Sequence, residues 1–431
     1  MNETVDQLLA GPPAGVSEGV LVDWIARLEE VKCVAEAVQA EASVRLEEHA
    51  RERHAAAGVP ARRLGEGVAS QVALARRVSP ARGAKLLGLA KILVSEMPHT
   101  LALMKAGRFS QWQATIVARE TACLSLEDRR VIDYELCASG ENGAAPKAVS
   151  MGLKELENAT KKLAIGLDQA SVVARIANAE KDRRVSLRPA PDTMTWLGGL
   201  LPVKDGVAVY AALDQAAKAA QAAGDGRTRG QVMADTLVNR VTGRETTDAR
   251  PRIEVKVVMS ADALTNDSDQ PAFVEGYGPV PATWVREALA EADVFVRRLF
   301  TDPAGRLVAM ESRSRKAPDG LAEFITTRDG GICRTVGCDA PIRNIDHVER
   351  HADGGTTSAQ NLQGLCERCN QAKEAIGWQA RPGPDGSIIT ITPTGHTYTS
   401  PPPDTWGQHP PPLSRAELRL RNVLLDHRLA A

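Results

Sequence analysis

The sequence predicts an α+β protein in three parts: a mainly α-helical N-terminal domain, a small mixed α/β part in the middle, and a small cysteine-bearing module near the C-terminus. Three observations carry this expectation. Apolar residues recur at i, i+3, i+4 spacing through most of residues 17–165. Short apolar or β-branched runs bounded by Pro, Asp and Gly enter only from about residue 185. Four of the seven cysteines fall within 37 residues as C-x4-C and C-x2-C.

Composition agrees. A chain of 431 residues is long enough for two or three domains of about 150 residues each. Aromatic residues make up only 3%, so the cores are built from Ala, Leu and Val, which favours close-packed helices. The formal net charge of -1 excludes a polycation that coats nucleic acid by charge alone; such contact must come from local basic patches. No run approaches 18 apolar residues, which excludes a transmembrane helix. The start, Met1 to Asp6, lacks a basic stretch followed by an apolar one, so the expected compartment is the cytoplasm.

In chain order, residues 1–16 hold Gly11-Pro12-Pro13 and read as a flexible leader. Ser17 can cap a long helix in which Val20, Leu21, Trp24, Ile25, Leu28, Val31, Val34, Ala35 and Val38 recur at helical spacing, ended by Gly58 and Pro60. Its charged face reads as solvated surface. Helices are expected at about 67–78, 80–96, 98–105, 110–122, 125–137 and 147–164. In the mixed part, 166–293, strands are expected at Val185–Leu187, Met194–Leu201 and Ile253–Met259, with helices at 206–223, 228–241 and 283–293. Gly224-Asp225-Gly226-Arg227 lacks the Gly-Lys-Ser/Thr ending of a phosphate loop and reads as a turn. Residues 261–282, rich in Asp, Pro and Gly, read as a connection between domains. A basic connection (294–320) precedes the module (321–381); a hairpin with a Pro-rich tail (382–412) and a helix (413–431) follow it.

The chemistry lies in the module. Cys333, Cys338, Cys366 and Cys369 can converge on one tetrahedral zinc ion, and four thiolates leave no open position, so that site is structural. The alternative is four free buried thiols. Cys33, Cys123 and Cys137 stand singly and read as small buried hydrophobes. Around the cysteine pairs sit Asp346, His347, Asn361 and Asn370. Asp346-His347 is expected on or at the end of a strand, whose successive residues face opposite ways unless it bends. Gly354-Gly355 permits a turn, and Asn361-Leu362 leads toward a helix carrying Cys366, Cys369, Asn370 and Lys373. Asp and Asn oxygens suit a hard cation such as Mg2+. A neighbouring His can take a proton from a water attacking phosphorus. His351 can be weighed as a second ligand, but Glu349 and Arg350 beside it favour a solvated loop.

These residues resemble the HNH endonuclease module, the ββα-metal fold, in its Asp-His / Asn / Asn-x-x-Lys form with flanking zinc cysteines. The resemblance implies hydrolysis of a DNA phosphodiester, with RNA left open. It gives Asp346 and Asn370 the role of ligands to a catalytic metal and His347 that of general base. Asn361 would tie the loop between the strands, and Lys373 would stand near the phosphate. Many relatives carry Cys-x-x-His-His where this chain has Cys369-Asn370, and His where it has Asp346. That shift toward oxygen favours Mg2+ or Mn2+ over zinc at the catalytic position. The N-terminal two-thirds is similar to the domain of unknown function that precedes HNH modules in the actinobacterial 13E12 repeat family. The stretches that carry the likeness are Val68-Ala-Ser-Gln-Val-Ala-Leu-Ala, Leu103–Ala114 and Gly278–Ala282. Arg313, Arg315 and Lys316, directly before the module, form the expected DNA-backbone contact; the alternative is a solvated linker. A protein that keeps the zinc fold and binds DNA or another partner without cutting is the competing reading.

Overall fold

A computed structural model describes residues 11–12, 14–140, 144–243, 257–259, 261–264, 268–275, 277–290 and 317–402. Ser17 opens the first helix, its Oγ accepting from the Val20 N–H at 3.5 Å. Helix α1 (Glu18–Ala56) then runs for 39 residues and meets its own domain through Cys33, Ala37, Ala40 and Ala50. Such small side chains let other helices approach closely. Around it pack α2 (Val68–Ala75), α3 (Pro80–Ser95), α4 (Pro98–Lys105), α5 (Gln111–Glu120), α6 (Leu126–Cys137), α7 (Leu153–Leu167) and α8 (Gln169–Ala179). Ser79, Ser110 and Ser125 each cap the helix that follows, and Ser110 forms a full capping box with Gln113. Phe109, Leu93, Met97, Met104, Ile132 and Leu156 fill the core.

Two helical details depart from the sequence expectation. The single helix expected at 147–164 is a 3-10 turn (Lys147–Ser150) followed by α7, because Gly152 is held extended at the junction. Helix α8 falls in a stretch that reads as the start of the β-containing part. Its β-branched Val172, Val173 and Ile176 obscure a helix that Asp168 caps by accepting from the Ser171 N–H at 2.9 Å. Helix α4 follows Met97, which has no capping oxygen, and is capped from α6 instead. Asp133 accepts from the backbone N–H groups of His99 and Thr100, both at 2.8 Å, and from Thr100 Oγ1 at 2.6 Å.

The mixed part begins with an antiparallel hairpin, β1 (Arg184–Pro189) and β2 (Thr195–Leu200), exposed along its length, with Leu187 opposite Leu197. The helices α9 (Val203–Ala222) and α10 (Arg229–Thr242) pack on each other across the turn at Gly224–Arg227, where Arg227 forks onto Asp225. The stretch at 261–282 is more than a connection. It contains α11 (Ala261–Leu264), β4 (Ala272–Val274) and β5 (Gly278–Val280), and β4 pairs with both β5 and β3 (Val257–Val258) in a three-stranded antiparallel sheet. Ala272, Val274 and Val280 close a small core with Val285 of α12 (Ala282–Ala290). Strands of two or three residues are too short for alternation to register.

The C-terminal module comprises α13 (Asp319–Arg328), β6 (Asn344–His347), β7 (Leu362–Leu365) and α14 (Glu367–Lys373), with β6 and β7 antiparallel. Strand β7 stands where the sequence reading runs from Asn361-Leu362 toward a helix; α14 begins only after Cys366. The hairpin expected at 388–399 is β9 (Ile388–Ile391) and β10 (Thr397–Ser400), widened to three strands by β8 (Gln379–Pro382). This end of the chain seats on α2: Trp378 and Ala375 pack against Leu74, and Thr394 Oγ1 donates to Gln71 Oε1 at 3.3 Å. At Gly67, φ is +86° and any Cβ would strike the Trp378 ring, so only glycine fits under the seat.

Among the described residues no single helix is long and apolar enough to cross a membrane. Helices α3 and α4 are apolar but meet at a 106° bend, and Leu89, Leu93, Leu101 and Met104 lie in the core. The basic segment with Arg313, Arg315 and Lys316, most of the leader and the expected C-terminal helix lie outside the described residues.

Asp133→Ala strips the acceptor from two buried backbone N–H groups and a hydroxyl. It should lower stability by about 2–4 kcal/mol, read as a shift of the denaturant midpoint. A midpoint within error of wild type would refute the capping role.

Candidate active site

The chain first folds two cysteine turns toward each other. Cys333 lies at the head of a turn closed by Cys338 N–H to Thr335 O at 3.0 Å, and the Cys333 N–H donates to Ala340 O at 2.9 Å. Cys366 caps α14, its Sγ accepting from the Cys369 N–H at 3.4 Å. The four Sγ atoms all lie within 4.8 Å of one another. Such a crowd of thiols is electrostatically unbalanced. The Cys338 and Cys369 thiols donate to Cys333 and hold it as a thiolate far below the ordinary range, while Cys338 is pushed up to about 12. Cys369 also rises, by donating to Cys333. A soft divalent cation would let all four ionise, so the donor set fits zinc.

A buried carboxylate ties this cluster to the strands. Asp329, at the end of α13, accepts from the Gly364 N–H of β7 at 2.8 Å and from Arg334 at 3.1 Å. Arg328 donates to Asp329 and to the Leu362 carbonyl. Arg334, one residue past the first cysteine, also reaches the Gly386 and Pro401 carbonyls at 3.2 and 3.1 Å. The cysteine turn, β7 and the β8–β10 sheet therefore share one charged hub.

With β6 and β7 registered, Asp346 lies opposite Gln363 and His347 opposite Leu362. The alternating strand turns the two neighbours to different partners. His347 is buried, with Nε2 2.9 Å from Thr357 Oγ1 and its ring edge-on to His351 at 5.5 Å between centroids. His351 itself is exposed. Asp346 turns toward α14, where Lys373 Nζ lies 2.8 Å from its Oδ2, off the direction of a hydrogen bond. Asp346 Oδ2 and Asn370 Oδ1 are both buried oxygens that no hydrogen-bond donor satisfies. Unsatisfied buried acceptors are rare: Asp346 Oδ2 has only the Lys373 ammonium beside it, and Asn370 Oδ1 has no hydrogen-bond partner.

Asn361 clasps the loop between the strands. Its Oδ1 accepts from the Glu349 N–H at 2.9 Å, and its Nδ2 donates to the carbonyls of Glu349 and Thr356 at 3.0 and 2.9 Å. A Cβ on Gly355 would run into both the Glu349 carbonyl and Asn361 Nδ2, which is why the clasp has glycine beside it. Arg350 secures the same loop to the helix, donating to Lys373 O at 3.2 Å and pairing with Glu374 at 3.3 Å. Thr357, Arg350 and Asp329 were not legible as site residues. Each is an ordinary polar residue with no motif spacing, and only its burial or its partner marks it.

A helical domain followed by a cysteine-bound ββα module is the class that fold and site define. The family described as domain of unknown function DUF222 matches residues 25–329, and the chain belongs to that family. The HNH endonuclease family matches residues 332–375, directly after it. The HNH match supports a nuclease or other nucleic-acid-directed function that involves metal. The chain is 35% identical over 135 residues to the uncharacterized protein Rv3776 of Mycobacterium tuberculosis, covering 30% of this chain and 24% of that protein. It is 40% identical over 85 residues to the uncharacterized protein Rv2100 of the same organism, covering 19% and 15%. The chain thus spans a quarter or less of the length of the curated relatives it matches. No solved structure matches it.

Cys366→Ser removes a sulfur donor while leaving a hydroxyl that can still cap α14. Limited proteolysis of the full chain should then cut within residues 332–375 many times faster than in wild type, with the helical domain still resistant. Equal resistance of wild type and variant would show that the cluster does not hold the module.

Proposed function

We propose that this chain is a metal-dependent endonuclease of the cytoplasm that hydrolyses DNA phosphodiester bonds in the β6–β7–α14 module. The observation that supports it most is the pair of buried, unsatisfied oxygens, Asp346 Oδ2 and Asn370 Oδ1, beside the Lys373 ammonium. Two hard oxygen donors suit Mg2+ or Mn2+ better than zinc. When bound by Asp346 and Asn370, that ion would supply positive charge to the phosphoryl group and the departing 3'-oxygen.

The chain's own residues do the rest. His347 takes a proton from the water whose oxygen attacks phosphorus; the bond from phosphorus to the 3'-oxygen breaks, leaving a 5'-phosphate. Thr357 holds the imidazole through Nε2, so its orientation is set before substrate arrives. Asn361 keeps the backbone around the base rigid through its three hydrogen bonds. Lys373, three residues after Asn370 and so on the same helix face, offers its ammonium to a phosphate oxygen. Arg313, Arg315 and Lys316 supply the sequence-independent grip on the DNA backbone.

The test is incubation of the purified protein with supercoiled plasmid and Mg2+ or Mn2+, with EDTA as control. His347→Ala should lose about 100- to 10,000-fold in rate while DNA binding persists. Thr357→Ser should keep most of the activity that Thr357→Val loses. Asp346→Ala and Asn370→Ala should abolish cleavage and weaken binding of Mn2+. Unaltered cleavage by the His347 variant would sink the role assignment. DNA binding without cleavage by wild type at any metal concentration would favour the non-catalytic reading.

For the backbone grip, replacing Arg313, Arg315 and Lys316 by Ala should flatten the slope of log affinity against log salt by about 0.9 for each phosphate that those side chains neutralise. An unchanged slope would place the grip elsewhere.

A further inference from the structure

Helix α1 carries a second apolar stripe on the face turned away from its own domain. Leu21, Trp24, Leu28, Val31, Ala35 and Val38 follow one another at alternating spacings of three and four residues. These are the a and d positions of a heptad repeat over nearly three repeats. Cys33, Ala37 and Ala40, through which α1 meets the core, lie roughly half a turn of the helix away. Leu21, Leu28, Val31 and Val38 keep 38–50% of their surface in solvent, and Ile25 beside them keeps 69%. A helix needs only one apolar face to join its domain. Among the described residues the second face stays about half exposed.

We infer that this stripe pairs with the same stripe of a second copy, as an antiparallel two-stranded coiled coil. The flanking charges choose the occupant's direction. With Leu21 at position a, one flank reads Val20, Arg27, Val34 and Glu41, and the other reads Ile25, Lys32 and Gln39. A parallel pair would set Arg27 of each copy against Lys32 of the other, a like-charge contact that disfavours this alignment. In the antiparallel pair each flank meets itself, centred between Leu28 and Val31. Arg27 then faces Val34, and Val20 faces Glu41, with no like charges opposed. Arg27 and Lys32 already have partners on their own helix, Glu30 at 3.4 Å and Glu29 at 2.6 Å, so neither demands one across the seam. Such pairing is isologous, one patch serving both copies about a two-fold axis.

The area sets the strength. Nine half-exposed apolar side chains at roughly 30–60 Å² each amount to about 500–1,000 Å² over both copies. That lies below the roughly 1,200–2,000 Å² of a standard interface, so the dimer should be weak and reversible, with a dissociation constant on the order of tens of micromolar. The inference does not rest on the nuclease reading. If both hold, the two-fold axis brings two modules into one particle, the symmetry of the two strands of a DNA duplex.

The experiment is sedimentation equilibrium of the full chain from about 1 to 100 μM, bracketing that constant. The expected mass rises from 46.1 kDa toward twice that value. Leu28→Glu should hold the mass at that of the monomer while the helical circular dichroism stays that of wild type. A mixture of Leu28→Cys and Val31→Cys chains should cross-link to each other more readily than Leu28→Cys chains cross-link among themselves. A monomer at every concentration overturns the proposal, as does a dimer that Leu28→Glu leaves intact. Preferential cross-linking among Leu28→Cys chains overturns the antiparallel arrangement. Dimerisation seen only after removal of residues 413–431 would make the chain's own C-terminal stretch the occupant and likewise overturn it.

Discussion

Four sulfur atoms within 4.8 Å of one another are the constraint on which the module depends. Bare thiols at that distance can share protons but cannot all carry charge. A cation of charge two would remove the conflict and turn the cluster into a cross-link. That link would join a turn that precedes β6 to the first turn of α14. It would therefore fix both ends of the segment that contains Asp346, His347 and Asn361, with Asn370 directly after it. A module of this size buries too little apolar surface to hold that geometry unaided.

The same need for rigidity explains the polar investment around it. Asp329 accepts from two arginines and a strand amide, and Arg334 carries that hub on to two carbonyls near the β8–β10 sheet. Burying charged groups is tolerable only when they are paired and hydrogen-bonded. Here the network ties the cysteine turn, β7 and the β8–β10 sheet together. The Trp378 seat on α2 then attaches the module to the helical domain. Residues 25–329 and the module are matched by two different families, yet in the fold they share this packed surface.

Much of this was legible in the sequence because the responsible signals are local. Ser17 announces the start of the first helix, and C-x4-C with C-x2-C announces a metal cage from spacing alone. Asp346, His347, Asn361 and Asn370 stood out only as a constellation, and the reading that joined them drew on a family resemblance. What escaped was set by tertiary contacts. Helix α8 was masked by β-branched residues, and β4 and β5 by their shortness. Thr357 is one threonine among many until the fold lays its hydroxyl against His347. The outward stripe of α1 was visible as periodicity, but periodicity cannot say which of two apolar faces meets the core.

The direct test of the sulfur cage is metal analysis of protein purified without added metal, followed by exchange for cobalt(II). The account predicts about one zinc per chain, and a cobalt form with the intense visible bands and thiolate charge-transfer absorption of a tetrahedral four-sulfur site. Protein that contains no zinc, takes up no cobalt and still keeps β6, β7 and α14 protected from hydrogen exchange would contradict it.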